Sequence, residues 1–244
     1  MFELIDKDRL KHKLDNLNIE ILDEIDSTNT YLLNQESLDR RLVITEAQTQ
    51  GRGRKLGRMW LSKPGCDVTL SLGWVFAPDF NVAILGIIVA IAVNRVYQKQ
   101  GLNTQIKWPN DVMGEDGVKI AGILVEGRYR QAQHQMVIGI GLDNVMKFNR
   151  TDLIIDMVTQ IELIIKQYIE LGFEYIRSQW LNSCIHWNKQ IELVKDQVTI
   201  DQVIHTDLNE RGELVVRDSM NRNNTYSSND ISVKYNLKAI VKFN

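Results

Sequence analysis

Apolar residues along the chain recur at two spacings, every second position in short runs and at helical intervals in longer ones. Residues 6–14 have the helical spacing and predict a short amphipathic helix. Residues 19–25 alternate and predict a strand. Next comes Asp26-Ser27-Thr28-Asn29, where Ser27 or Thr28 is placed to cap a helix that buries Tyr31 and Leu32. Strands are predicted over 42–47 and 67–76, and a long buried helix over 80–98. The most apolar run, 82–93, is too short to span a bilayer. Pro109 excludes helix at Trp108 and marks a turn at a strand end, which draws Lys107, Asn110 and Asp111 together. The strand over 118–126 places Lys119, Ala121, Ile123 and Val125 on one face. Ile120, Gly122, Leu124 and Glu126 take the other. Another strand is predicted over 133–140. Gly122, and Gly139 and Gly141 at the end of that second strand, predict a close approach to the sheet. Two helices follow, 151–170 capped by Thr151 or Asp152 and 173–187, separated by Gly172. From Gln190 onward the pattern becomes short strands at 191–194, 198–204, 214–216 and 231–233. Turns at 209–212 and 221–224 separate them, and a small β-barrel is expected.

Charge changes this picture at one stretch. Residues 51–60, Gly-Arg-Gly-Arg-Lys-Leu-Gly-Arg-Met-Trp, carry Arg52, Arg54, Lys55 and Arg58 among three glycines. No acid lies between Glu46 and Asp67 to pair with them. Glycines let a ligand approach main-chain N–H groups, and arginines offer planar forks that match phosphate and carboxylate oxygens. The loop is either a holder for an anion or a solvated basic turn. It is neither a dinucleotide fingerprint, because Gly57 comes one place late, nor a Walker loop, because G-K-[ST] is absent. Lys119 on its strand reads as a buried lysine that asks for an anionic partner.

The remaining composition excludes more than it suggests. The 244 residues have a formal net charge of −2, which speaks against a dedicated nucleic-acid binder. Cys66 and Cys184 are too few for a disulfide framework, so reduced thiols in the cytosol are expected. The acidic, mixed start is unlike a signal peptide. His12, His134, His186 and His205 are scattered and show no metal spacing, and no G-x-S-x-G elbow occurs.

Taken in order, Ser27-Thr28-Asn29, the loop over 51–60, Lys107-Trp108-Pro109-Asn110-Asp111, Lys119-x-Ala121-Gly122-Ile123-Leu124-x-Glu126 and Gly139-x-Gly141 resemble the motifs of bacterial biotin–protein ligases. The resemblance covers residues 19–145. It implies an α+β fold: a mixed β-sheet catalytic domain related to class II synthetases and lipoate ligases over 1–188, and a small SH3-like C-terminal β-barrel over 189–244. It implies that biotin and Mg-ATP yield biotinyl-5′-AMP, whose acyl group passes to a lysine of a biotin carboxyl carrier protein. It assigns catalysis to Arg52, Arg54, Lys119 and Asp111. Biotin would be held by Ser27, Thr28, Asn29, Gln48, Gly51, Gly53, Trp60, Gly122, Leu124, Gly139 and Gly141. The nucleotide would be held by Arg54, Lys107, Asn110 and Asp143 or Asn144. Mg²⁺ would arrive with ATP, near Asp111, without a fixed protein site. Only twenty-six residues precede Ser27, too few for the winged helix-turn-helix of repressor-type members. A cytoplasmic, monofunctional ligase, monomer or homodimer, without nucleic-acid or membrane partners is therefore expected. A lipoate–protein ligase and a biotin-responsive regulator are the competing readings.

Overall fold

A computed structural model describes residues 4–54, 57, 59–144 and 148–235. Its contacts sort the chain into two units, Met1–Leu85 with Ile120–Glu162, and Gly86–Lys119 with Leu163–Asn244.

The first unit begins with α1 (Lys7–Lys13), capped by the Asp6 carboxylate, and β1 (Asn18–Ile25). After α2 (Thr28–Leu33) come β2 (Arg41–Gln48) and β3 (Val68–Phe76). The long strands β6 (Lys119–Arg130) and β7 (Gln133–Leu142) continue the sheet, with neighbours in the order β1, β2, β3, β7, β6. β1 and β2 are parallel and the other pairs antiparallel, so the sheet is mixed, as expected.

Register explains the two faces of this sheet. One face carries rows such as Ile44–Leu70–Ile140–Ile123, each residue at most 4% exposed. The other carries Thr45–Thr69–Gly141–Gly122 and, beside it, Val43–Ser71–Gly139–Leu124. Helix α2 lies on this second face, against β2, β3 and β7. It buries Leu32 against Leu38, Val43 and Val137, worth about 1.5–3 kcal/mol for the leucine. Tyr31 is only half-buried, contrary to expectation. Its hydroxyl donates to Glu20 (2.7 Å), which keeps that end of the ring at the surface.

The second unit holds most of α3 (Leu85–Lys99), which begins later than predicted because a single 3₁₀ turn, Val82–Ile84, leads into it from Asn81. By length and composition, Val82–Lys99 would also suffice to cross a membrane; 67% of it is buried inside the fold. A short hairpin follows, β4 (Gln105–Lys107) and β5 (Asp111–Met113), with Trp108, Pro109 and Asn110 in its turn. Helix α4 (Arg150–Ser183) begins in the first unit and ends in the second. It is interrupted at Gly172, whose φ of 78° lies in the region that favours glycine. The predicted division into two helices is therefore correct, although the second ends at Ser183. The cap is not Thr151 or Asp152 but Asn149, whose Oδ1 accepts from the Asp152 N–H (2.9 Å). Thr151 accepts from the Asp6 N–H instead, and Asp152 pairs with Arg9.

Strands β8 (Gln190–Lys195), β9 (Val198–Leu208), β10 (Leu214–Arg217), β11 (Asn223–Tyr226) and β12 (Ser232–Lys234) form a second sheet. It is antiparallel, in the order β11, β10, β9, β8, β12, and consistent with an SH3-like domain. β11, Asn-Asn-Thr-Tyr, partly overlaps the turn expected over 221–224. It is a polar edge strand with one side to water, and it carries no apolar alternation to announce it.

Candidate functional site

The polar row on the sheet, the start of α2 and the arginine loop meet within the first unit. Ser27 caps α2, its Oγ accepting from the Thr30 N–H, and it is 4% exposed. Gln48, the last residue of β2, accepts at Oε1 from the Thr28 N–H (2.9 Å) and hydroxyl (3.1 Å). Ser71 Oγ on β3 lies 2.7 Å from Thr28 Oγ1 and 2.6 Å from Asn29 Oδ1. The Asn29 amide donates to the Leu124 carbonyl (3.2 Å) and to Glu126 Oε2 (2.8 Å). Ser27, Thr28, Asn29 and Ser71 are all buried, so the unit presents a compact array of uncharged donors and acceptors.

Gly139 and Gly141 make this array possible. A Cβ on Gly139 would sit 2.2 Å from Asn29 Oδ1, and one on Gly141 would sit 2.1 Å from Cε2 of the Trp60 indole. The close approach expected above these glycines is thus made by the chain's own side chains. Gly122 pairs with Gly141 and Leu124 with Gly139, so all four predicted wall residues lie side by side. The two glycines should respond differently to a methyl. Asn29 is tied at three points, so Gly139→Ala should break its network and cost about 1–3 kcal/mol, roughly 2–12 °C in melting temperature for a chain of this size. Trp60 closes the basic loop rather than the buried array, so displacing its indole should disturb the loop first. Gly141→Ala should therefore leave the melting temperature nearly unchanged while trypsin cuts the loop faster. Equal melting shifts for the two variants would contradict this picture.

The loop itself is closed at its base. The Trp60 N–H donates to the Gly51 carbonyl (2.9 Å), and Arg52 and Met59 bridge. Lys55, Leu56 and Arg58 lie outside the described residues. Gly53 and Arg54 are half-buried. Arg52 is half-exposed and has a partner that the local sequence does not show: Glu126 on β6, 3.0 Å away, with Thr30 Oγ1 at 3.3 Å. Glu126 thus accepts from both Asn29 and Arg52, linking the neutral array to the basic loop. An open groove of about 360 Å³ lies beside this link, lined by Asp26, Ser27, Thr30, Leu33, Asn34, Gln50 and Arg52.

Asp143 and Asn144 divide their duties. The Asn144 amide is spent on Phe148, donating to its carbonyl (2.7 Å) and accepting from its N–H (2.8 Å). The Asn144 N–H is itself held by Asp67. Asp143 is partly exposed, whereas Asn144 is buried.

The second unit places Lys107, Asn110 and Asp111 in or beside the β4–β5 turn, all half-buried. Lys119 is exposed rather than buried, with 41% of its side chain open to solvent. Its Nζ lies 2.7 Å from Asp111 Oδ1, so its charge is met by a carboxylate as well as by water.

Ser71 and Glu126 were not assigned as site residues from the sequence. Ser71 had a usable signal: with Thr69 it puts polar groups at alternate positions of an otherwise apolar strand. Glu126 belonged to a motif already noted, and only its contacts give it a role.

The profile of the Biotin/lipoate A/B protein ligase family matches residues 21–143, half of the chain. The chain belongs to this family. Among similar proteins, the bifunctional ligase/repressor BirA of Salmonella typhimurium is 39% identical over 158 residues, 62% of this chain and 48% of that protein. The biotin–[acetyl-CoA-carboxylase] ligase of Mycobacterium tuberculosis is 32% identical over 165 residues, 57% of this chain and 59% of that one. This family member therefore spans about half the length of the bifunctional relatives it matches. The structure of the Aquifex aeolicus biotin protein ligase in complex with biotin and ATP superposes with a TM-score of 0.74. It covers 90% of this chain and 99% of its own, at 21% identity, and so shares the fold.

Proposed function

We propose that this family member activates biotin with ATP as biotinyl-5′-AMP and transfers the biotinyl group to a lysine of a biotin carboxyl carrier protein. The observation that carries this reading is the uncharged array of buried Thr28, Asn29 and Ser71 with half-buried Gln48, joined through Glu126 to Arg52 of the basic loop. An uncharged polar ring, such as the cyclic urea of biotin, fits neutral donors and acceptors. A buried charge there would lack a counter-ion. The carboxylate and the phosphates are anions, and the loop supplies cations.

The chemistry explains why both are needed. A carboxylate is a poor electrophile. In the first step one of its oxygens attacks the α-phosphorus of ATP, and the bond to the bridging oxygen breaks to release pyrophosphate. In the second, an uncharged lysine amine of the carrier attacks the acyl carbon, the bond to AMP breaks, and the amine loses its proton. The first step brings two anions together and requires fixed positive charge. Arg52, Arg54 and Lys119 are the residues for this, and Arg52 has to leave Glu126 for the incoming anion. Asp143 and Asn110 serve the nucleotide. Asp111 offers the hard oxygen that Mg²⁺ prefers. It is already paired with Lys119, which suits an ion carried in on ATP better than a permanent site. Cys66 and Cys184 are free thiols, in keeping with a cytosolic reaction.

The test is to incubate the protein with biotin, Mg-ATP and an apo carrier domain and to measure the intact mass of the carrier. One added biotinyl group, dependent on ATP and lost when the acceptor lysine becomes arginine, is expected. Labelling by lipoate but not by biotin would overturn the reading.

A further inference from the structure

Within the second unit, two histidines far apart in sequence come into contact. His186 and His205 are both 0% exposed, and their Nδ1 atoms are 3.1 Å apart. Cys184 Sγ lies 3.6 Å and 3.9 Å from the same two nitrogens. No spacing along the chain announces this meeting, and by the distances alone the trio resembles a metal site.

The outer nitrogens decide otherwise. His186 Nε2 faces the backbone N–H of Trp108 at 3.1 Å. A backbone N–H only donates, so Nε2 must offer a lone pair, and a neutral His186 carries its proton on Nδ1. That proton points at His205 Nδ1, which therefore accepts. The His205 proton is then on Nε2, 3.0 Å from the Asp207 carbonyl, which only accepts. One pair of tautomers thus satisfies every ring nitrogen with both rings neutral. A metal on His186 Nδ1 would move the proton to Nε2 and set it against the Trp108 N–H. Burial acts in the same direction, holding His186 well below the usual histidine range and lowering His205 to about 4. It also pushes the Cys184 thiol up to about 12, so the sulfur is no ready thiolate.

The chain of hydrogen bonds ends on a turn that matters. Trp108 is 2% exposed, and its indole N–H donates to the Gly212 carbonyl (3.0 Å). The Ile185 N–H donates to the Ile106 carbonyl (2.9 Å). The C-terminal part of the chain therefore holds the β4–β5 turn at three points around Trp108, immediately before Asn110 and Asp111.

We propose that His186 and His205 form a neutral hydrogen-bond relay that fixes the Trp108 turn. His186 is then a positioning residue for Asn110 and Asp111 on the phosphate side of the reaction proposed above. The functional half of this inference rests on that reading; the relay itself does not.

Three measurements test it. Long-range ¹H–¹⁵N spectra of the wild-type protein at pH 7 should show His186 protonated on Nδ1 and His205 on Nε2. His186→Phe removes the acceptor while keeping a ring. It should speed amide hydrogen exchange over residues 107–113 by about tenfold or more, whether or not the protein turns over substrate. In turnover it should raise KM for ATP about tenfold and leave KM for biotin within about twofold, because the neutral array is untouched. His186→Gln, which returns an acceptor near the Nε2 position, should recover most of both effects. Reversed or charged tautomers, a stoichiometric metal ion in the purified protein, or equal rises in both KM values would overturn the proposal. If the wild type fails to activate biotin, the functional reading falls, and the tautomers and the exchange rates still decide the relay.

Discussion

Lys119→Ala should slow ATP-dependent biotin activation by about two to three powers of ten, the range found when a transition-state donor is lost, and leave the protein folded. The second half of this expectation gives the first its meaning. Lys119 is exposed and its ion pair with Asp111 is open to water. Such pairs contribute about 0–1 kcal/mol, so the melting temperature should hardly move. A large kinetic loss at constant stability would place the ammonium at the developing charge rather than in the scaffold. The loss should fall mainly on the adenylation step, where the two anions meet. It would be compounded because Asp111 is left without its cation beside the phosphates. Asp111→Asn in the Lys119→Ala background also removes the oxygen assigned to Mg²⁺ and should not recover the rate. Pyrophosphate exchange gives the rate, and a thermal melt gives the control. Exchange at near wild-type rate in folded Lys119→Ala protein would remove Lys119 from the mechanism.

How far the sequence reached can be seen residue by residue. Strands with period-two patterns were legible because both periodicity and register follow from burial of one face. The pairing of Gly139 with Leu124 and Gly141 with Gly122 realises the expected run of small residues along the sheet. Gly172 was legible as a break because its backbone conformation suits few other residues. What escaped were contacts with no local signature. Arg52 meets Glu126 across 74 positions, and His186 meets His205 across 19. No periodicity in one segment reports which segment it will face. The cap at Asn149 was missed because Thr151 and Asp152 are equally good capping types, and the choice is made by what Asp6 and Arg9 bring to them. The apolar strand flank around Lys119 suggests burial. The first position of a strand is open to solvent in a way the pattern does not record.

The largest stability effect should come from another long-range pair, Glu46 with Arg150. The Arg150 side chain, at the first position of α4, is 3% exposed. Glu46 on β2 accepts from both of its terminal nitrogens, at 2.6 Å and 3.1 Å, and also from the Gly65 N–H at 3.0 Å. Glu46 lies five residues before the arginine loop begins, and Gly65 lies five beyond its end. The carboxylate therefore ties both sides of the loop to the start of the helix. Breaking a fully buried ion pair costs about 3–5 kcal/mol, and the 20% exposure of Glu46 places this pair at the lower end. Glu46→Ala should cost that much in urea unfolding. Arg150→Met should cost less, because the remaining carboxylate is 20% exposed and keeps the Gly65 N–H. Combining the two should cost less than the sum of the single costs, since both remove the same ion pair. That inequality distinguishes a buried charge pair from two independent packing contacts, whose costs would simply add. A double variant less stable than Glu46→Ala by the full cost of Arg150→Met would show that the two side chains act separately, and the loop would then need another anchor.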